Sequence, residues 1–175
     1  MNYFEYYNIP ISFFPDLADL RNKYLIRSRE VHPDFHADAN EAEMEKIVEE
    51  AGYNNKAYKT LANFESRVAY ILELFGEKTS GEDGALDPEF LMEVMEINEK
   101  IIELKMSDDS GGANLLAEEV SELEKNLFNE VKDNMEKFSI DTEDRSEILK
   151  SIKDYYLKNK YLLRIKENLS TFAAQ

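Results

Sequence analysis

The chain has no cysteine. That excludes disulfides, thiolate metal ligands and a thiol nucleophile, and it suits a reducing cytoplasm. Histidine is nearly as scarce: His32 and His36 are the only two. No hydrophobic run approaches the roughly 18 residues that a membrane-spanning helix needs. The opening residues, MNYFEYYNIP, carry no basic stretch leading into an apolar one, so no signal peptide is expected. With Glu5 and no arginine they also make a poor transit peptide. Positive charge is outnumbered, 21 basic residues against 37 acidic, for a formal net charge of −16. Such a surface repels nucleic acid and anionic lipid, so neither is expected as a partner. No glycine-rich phosphate loop, Ser-His-Asp order or paired-carboxylate motif stands out from the general acidity. Neither enzymatic activity nor a cofactor is expected.

What is present is helix. Four prolines and six glycines in 175 residues cluster at boundaries, and no sustained two-residue alternation marks a strand. An all-α fold is expected. A short helix is predicted around Tyr3–Tyr7. A second opens at Asp16 as N-cap, with Asp19 three residues on, and runs to about Val31. Its apolar stripe is Leu17, Leu20, Tyr24, Ser28 and Val31. Pro33 stops it, because the residue before a proline is pushed out of the helical region. A third helix spans about Glu41–Ala62, with Met44, Ile47, Val48, Ala51, Asn55 and Tyr58 on one face. A fourth covers about Glu65–Leu74, with Val68, Ile71, Leu72 and Phe75 inward and Gly76 as its C-cap.

GEKTSGEDGAL (Gly76–Leu86) reads as a linker, with three glycines and mixed charge. It divides the chain into a first domain over 1–76, a linker over 77–86 and a second domain over 87–175. The second domain opens at Asp87-Pro88, an N-cap followed by proline at the first helical position. Helices to about Met106, over about Leu115–Phe138 and over about Glu143–Phe172 predict an antiparallel three-helix bundle, with SDDSGGAN (Ser107–Asn114) as a turn. Residues 1–75 carry 8 basic and 13 acidic side chains and the remainder 13 and 24, so most of the acidity lies in the bundle.

SREVHPDFHADAN (Ser28–Asn40) holds both histidines. Three readings compete for it. A plain turn uses Pro33 to fix φ and Asp34 to bond its own backbone. A metal site would use His32, Asp34 and His36, crowded into five residues with no further histidine to complete it; on that reading the chain is a small metal-dependent hydrolase. A loop shown to another protein would present one ring and one carboxylate. On the bundle's first helix, Val94, Ile97, Ile101 and Leu104 supply a core stripe with Leu91 at its edge. Met92, Met95, Glu96, Glu99 and Glu103 lie on an adjacent face, which is either more core or an adaptable Met-rich groove edged by carboxylates.

The His32-Pro33-Asp34 tripeptide, between an amphipathic helix and a long returning one, resembles the J-domain that DnaJ-like co-chaperones use on DnaK-like chaperones. NNKAYKTLANFESRVAYILELFG (Asn54–Gly76) is similar to the N-x-A-Y-x-T-L…R-A-x-Y-L-L segment of HscB-type iron–sulfur co-chaperones, through Asn55, Ala57, Tyr58, Thr60, Leu61, Arg67, Tyr70 and Leu72. FLMEVMEINEKIIEL (Phe90–Leu104) resembles the segment that opens the HscB C-terminal bundle. The sequence departs from the J-domain pattern at Phe35, where lysine or arginine usually follows the tripeptide, and at Leu25 and Ile26, often basic. Leu20–Arg29 still holds Arg21, Lys23, Arg27 and Arg29 with no acid.

The resemblance implies a co-chaperone of iron–sulfur cluster assembly. His32, Pro33, Asp34, Arg21, Lys23, Tyr24 and Arg29 would meet a DnaK-like (HscA-type) ATPase. Leu91, Met92, Met95, Glu96, Glu99, Glu103 and Tyr161 would hold an IscU-type scaffold protein. Asn55, Tyr58 and Arg67 would hold the helices behind the loop. The chain would be cytoplasmic and, lacking paired zinc-binding cysteines, of bacterial type. Relatives self-associate weakly, so a weak homodimer is allowed for. The alternative is a generic J-domain adaptor with another client.

Overall fold

The computed structural model describes residues 1–36, 38–79, 86–138 and 144–173. Among them the chain is all-helical, with seven α-helices, one 3₁₀ turn and no strand. They form two compact units. The first holds Met1–Phe75 together with Phe138, and the second holds Gly76–Lys137 and residues 144–173.

The first unit has four α-helices: α1 Tyr3–Tyr6, α2 Leu17–Glu30, α3 Glu41–Ala62 and α4 Phe64–Leu74. Each starts where a short polar side chain can occupy orphaned N–H groups. Asn2 and Asn40 close capping boxes with Glu5 and Glu43. Asp16 accepts from the N–H groups of Ala18 and Asp19, at 2.9 and 3.0 Å. Asn63 ends α3 and caps α4, accepting from Ser66 N–H at 2.8 Å. Gly76 follows α4 with φ of +81°, a left-handed conformation that glycine adopts without penalty.

Phe4, Phe13, Leu20, Leu61, Val68, Ile71 and Leu72 fill this unit's core. Each such side chain contributes about 1.5–3 kcal/mol of apolar burial. Phe138, which the sequence assigns to the bundle, packs here instead, its ring edge-on to Phe13 at 5.1 Å and to Phe75 at 5.4 Å. Leu17 and Val48 fall on predicted apolar stripes yet are exposed. On α3 the buried polar residue is Asn54 rather than the expected Asn55.

The second unit is built from α5 Pro88–Ser107, α6 Ser110–Lys137 and α7 Arg145–Ala173. Its core joins Phe90, Val94, Ile97 and Ile101 of α5, Ala113, Leu116 and Val120 of α6, and Leu162, Ile165 and Leu169 of α7. Leu86 belongs to that core, and Glu77 accepts from Lys153 Nζ at 3.2 Å. Both ends of the predicted linker are therefore built into the bundle; residues 80–85 lie outside the described ones.

The predicted turn at Ser107–Asn114 is shorter than its glycines suggest. Only Asp108 and Asp109 separate α5 from α6, with Asp108 left-handed at φ 54°. Asp109 takes over the N-terminus of α6, accepting from Gly112 N–H at 2.9 Å. A Cβ at Gly112 would stand 2.4 Å from Leu104 Cδ2, so this glycine admits the close approach of two helices rather than a bend.

Candidate functional site

Two surfaces, one on each unit, carry the residues singled out above.

On the first unit, α2 and α3 form a hairpin whose tip is the His-Pro-Asp loop. His32 is extended (φ −77°, ψ 123°), as a residue before proline must be, and Pro33–Phe35 make one 3₁₀ turn. The Asp34 N–H donates to His32 Nδ1 at 3.2 Å. That bond orients the ring and leaves Nε2 to carry the neutral imidazole's proton. The Asp34 carboxylate is almost fully exposed, 3.8 Å from the same ring nitrogen. His36 turns the other way, its Nε2 2.6 Å from the Glu30 carbonyl, and so ties the loop back to the end of α2. Among the described residues no three histidine, aspartate or glutamate side chains converge as a metal cluster.

The hairpin is held by a polar clasp. Asn54 is buried; its Nδ2 donates to Ser28 Oγ at 3.0 Å and reaches the Tyr24 carbonyl at 3.4 Å. Its Oδ1 accepts from the Tyr7 hydroxyl at 2.7 Å. One side chain thus joins α2 and α3 to the segment after α1. Burial pushes the Tyr7 phenol well above the ordinary tyrosine range, with the neighbouring Tyr6 adding to the effect, so it stays a donor. Tyr24 stacks on Tyr58 at 4.2 Å and donates to Asn55 Oδ1 at 3.0 Å. Arg67 is buried, donating from Nε to the Phe13 carbonyl at 3.0 Å and from Nη1 to the Leu61 carbonyl. Desolvation lowers its pKa.

The structure sorts the residues expected to meet a chaperone. His32, Asp34, Arg21 and Arg29 are exposed, and Pro33 shapes the loop. Tyr24 is half-buried in the clasp. Lys23 pairs with Asp19 at 3.0 Å and donates to the Asn8 carbonyl at 3.3 Å, so its charge is committed internally. Two residues that look like lost charges in the sequence form part of the surface: Leu25 is 44% and Ile26 57% exposed. Phe35 is exposed as well, its ring 5.6 Å from that of His32. The face is mixed, apolar between arginines. Exposure was the missing signal here, since an apolar residue on a helix reads first as core.

On the second unit, α5 turns Phe90, Val94, Ile97 and Ile101 inward and leaves Leu91, Met92, Met95, Glu96, Glu99 and Glu103 in solvent. The three carboxylates lie along one edge of the apolar side chains, and none has an ion-pair partner among the described residues. On α7, Tyr161 is exposed. Three residues before it, Lys158 Nζ sits 5.7 Å from the centre of the Phe90 ring, which sets this stretch of α7 beside the first turn of α5. Ile102 and Met106, further along α5, are also exposed and were passed over in the sequence.

The comparisons with known proteins agree with this layout. Residues 86–170 match the family described as the HSCB C-terminal oligomerisation domain. The Co-chaperone protein HscB homolog of Vibrio atlanticus (strain LGP32) is 34% identical over 138 residues, 78% of this chain and 81% of that protein. The homolog from Colwellia psychrerythraea (strain 34H / ATCC BAA-681) is 36% identical over 121 residues, 69% of each chain. Among solved structures, the chaperone HscB from Vibrio cholerae matches with a TM-score of 0.75 at 27% identity, over 98% of this chain and 96% of that one. The human co-chaperone protein HscB matches with a TM-score of 0.80 at 28% identity, over 98% and 81%. The architecture of an N-terminal J-domain followed by a helical bundle is shared with both. With a third of its residues identical over four-fifths of a curated relative, this chain belongs to the HscB family of co-chaperones.

Proposed function

We propose that this protein couples a DnaK-like, HscA-type ATPase to an IscU-type scaffold protein during iron–sulfur cluster assembly. The J-domain, through His32, Pro33, Asp34, Arg21 and Arg29, stimulates ATP hydrolysis by the chaperone. The bundle, through Leu91, Met92, Met95, Glu96, Glu99, Glu103 and Tyr161, holds the scaffold and delivers it. The observation that carries this reading is the presence on one chain of a rigid His-Pro-Asp loop and a separate exposed Met-rich face edged by unpaired carboxylates.

Tethering is the mechanism. Joining two contacts on one chain raises the effective concentration of scaffold at the chaperone, without any bond being made by this protein. The arginines speed encounter with an acidic chaperone surface. The nucleotide chemistry belongs to the chaperone and the cluster to the scaffold, because this chain offers no thiolate. It acts in the cytoplasm and is not itself an enzyme.

The test is steady-state ATP hydrolysis by the cognate chaperone, with this protein and the scaffold added separately and together. Synergistic stimulation, abolished by His32→Gln, is the expected result. Stimulation without scaffold synergy would leave a J-domain adaptor for another client. No stimulation of any DnaK-like partner would overturn the proposal.

A further inference from the structure

The exposed apolar residues of α5 do not stop where the proposed scaffold surface stops. Met92, Met95, Glu99, Ile102 and Met106 follow one another at steps of 3, 4, 3 and 4. That spacing lays them on one line along the outer face of the helix. Over 14 residues the line is about 21 Å long at the usual rise per residue. Met92 is 63% exposed, Met95 62%, Ile102 58% and Met106 84%, so the seam faces solvent throughout. The core of the bundle uses a different line, through Phe90, Val94, Ile97 and Ile101, and has no call on these side chains. A seam of this period, left uncovered, is the surface against which a second helix packs.

The charge at its centre selects that helix. Met92 lies seven residues before Glu99 and Met106 seven after; Met95 lies four before and Ile102 three after. A second copy of this chain, packed antiparallel about a two-fold axis centred on the seam, would set Glu99 against Glu99. A parallel copy in register would do the same. Either arrangement desolvates two like charges with no cation between them, which disfavours it. The flanking Glu96 and Glu103 add to the repulsion. A helix with apolar residues around one lysine or arginine meets the same seam without penalty, its cation opposite Glu99.

We infer that the whole length of α5, through Ile102 and Met106, receives an apolar helix of the scaffold partner bearing a central basic residue. Glu99 both pairs with that residue and keeps a second copy of this chain off the seam. The inference rests on the proposed function for the identity of the partner, and it adds contacts and a selection rule that the family segment does not supply.

The test uses the full chain and the purified scaffold protein, with binding followed by calorimetry and self-association by analytical ultracentrifugation. All the substituted side chains are exposed, and circular dichroism verifies the fold of each variant. Ile102→Ser with Met106→Ser is expected to weaken scaffold binding about tenfold, as Met92→Ser does. Glu99→Gln is expected to weaken it and to flatten its dependence on salt. Glu99→Leu is expected to give a concentration-dependent dimer that the native chain does not form. If Met92→Ser weakens binding but the Ile102 and Met106 changes do not, the proposed function stands and the extended seam is overturned. If neither affects binding, both fail. A Glu99→Leu variant that stays monomeric, or a native dimer dissolved by Ile102→Ser, overturns the selection rule.

Discussion

The Tyr7 hydroxyl and the side-chain oxygen of Asn54, 47 positions apart in the chain, stand 2.7 Å apart in the buried base of the J-domain hairpin. Tyr6, next in sequence, is also buried, yet its hydroxyl has no hydrogen-bond partner. The two tyrosines therefore make a controlled pair. Tyr7→Phe leaves Asn54 Oδ1 without its donor and should cost about 1–3 kcal/mol in urea unfolding. Tyr6→Phe removes a desolvated hydroxyl that bonds nothing and should be neutral or slightly stabilising. Equal losses in the two variants would mean that the Tyr7–Asn54 bond contributes nothing specific.

Alkaline pH should unfold the J-domain for the same reason. Burial raises the phenols of Tyr7, Tyr6, Tyr53 and Tyr70 above their ordinary value of 10.0, and Glu50 raises Tyr6 further. A raised pKa means that the folded state holds its proton where the unfolded chain releases it. The stability is fully present below pH 10.0 and falls as pH rises above it. Urea midpoints should hold steady up to about pH 9 and drop at pH 11, with tyrosinate absorbance lagging behind that of the free amino acid. Tyr7→Phe should shrink the drop. A midpoint that does not change across this range would contradict the burial argument.

How far the structure can be read from the sequence depends on what each residue's chemistry announces. The ends of α3 and α5 are announced by caps, Asn40, Asn63 and Asp87, whose side chains have one obvious use. The His-Pro-Asp loop is announced by a proline that no helix accommodates. Asn54 is not announced, because a buried asparagine is invisible to hydrophobic periodicity; only its partners Tyr7, Ser28 and Tyr24 make it a core residue. Leu25, Ile26, Ile102 and Met106 are misread for the opposite reason. They are apolar, and nothing within a helix tells an apolar side chain that packs from one that waits for a partner. Met92 and Met95 are legible only because they stand beside a complete core stripe.

The Gly111–Gly112 pair offers a test of how α5 and α6 meet. Both glycines lie in the first turn of α6, where alanine ordinarily gains up to about 1 kcal/mol by propensity. At Gly111 a Cβ would find only Asp109 Oδ1 at 3.4 Å, ordinary contact. At Gly112 it would meet Leu104 Cδ2 at 2.4 Å and Asp109 Oδ2 at 2.6 Å, so both the packing and the cap must shift. Gly111→Ala should raise the melting temperature. Gly112→Ala should fall about 1–2 kcal/mol below it, the usual penalty of overpacking. Alanines that behave alike at the two positions would mean that the helices are not held this closely.

The mixed face of α2 leads to a functional prediction. Arg21, Leu25 and Arg29 follow at four-residue steps, Ile26 stands beside them, and Phe35 is exposed at the tip. A chaperone that meets this face must offer an apolar recess flanked by carboxylates, rather than a purely acidic strip. Apolar contact is little affected by salt, whereas exposed ionic contact fades as the Debye length shrinks. Stimulation of the chaperone's ATPase should therefore decline only modestly between about 0.05 and 0.3 M salt. Leu25→Ser with Ile26→Ser should cut it about tenfold at every salt concentration, equivalent to about 1.4 kcal/mol. Arg21→Ala with Arg29→Ala should act mainly at low salt, through slower encounter. If the serine variant stimulates like the native protein while stimulation by the native protein collapses with salt, the two apolar residues lie outside the contact and the arginines alone hold the chaperone.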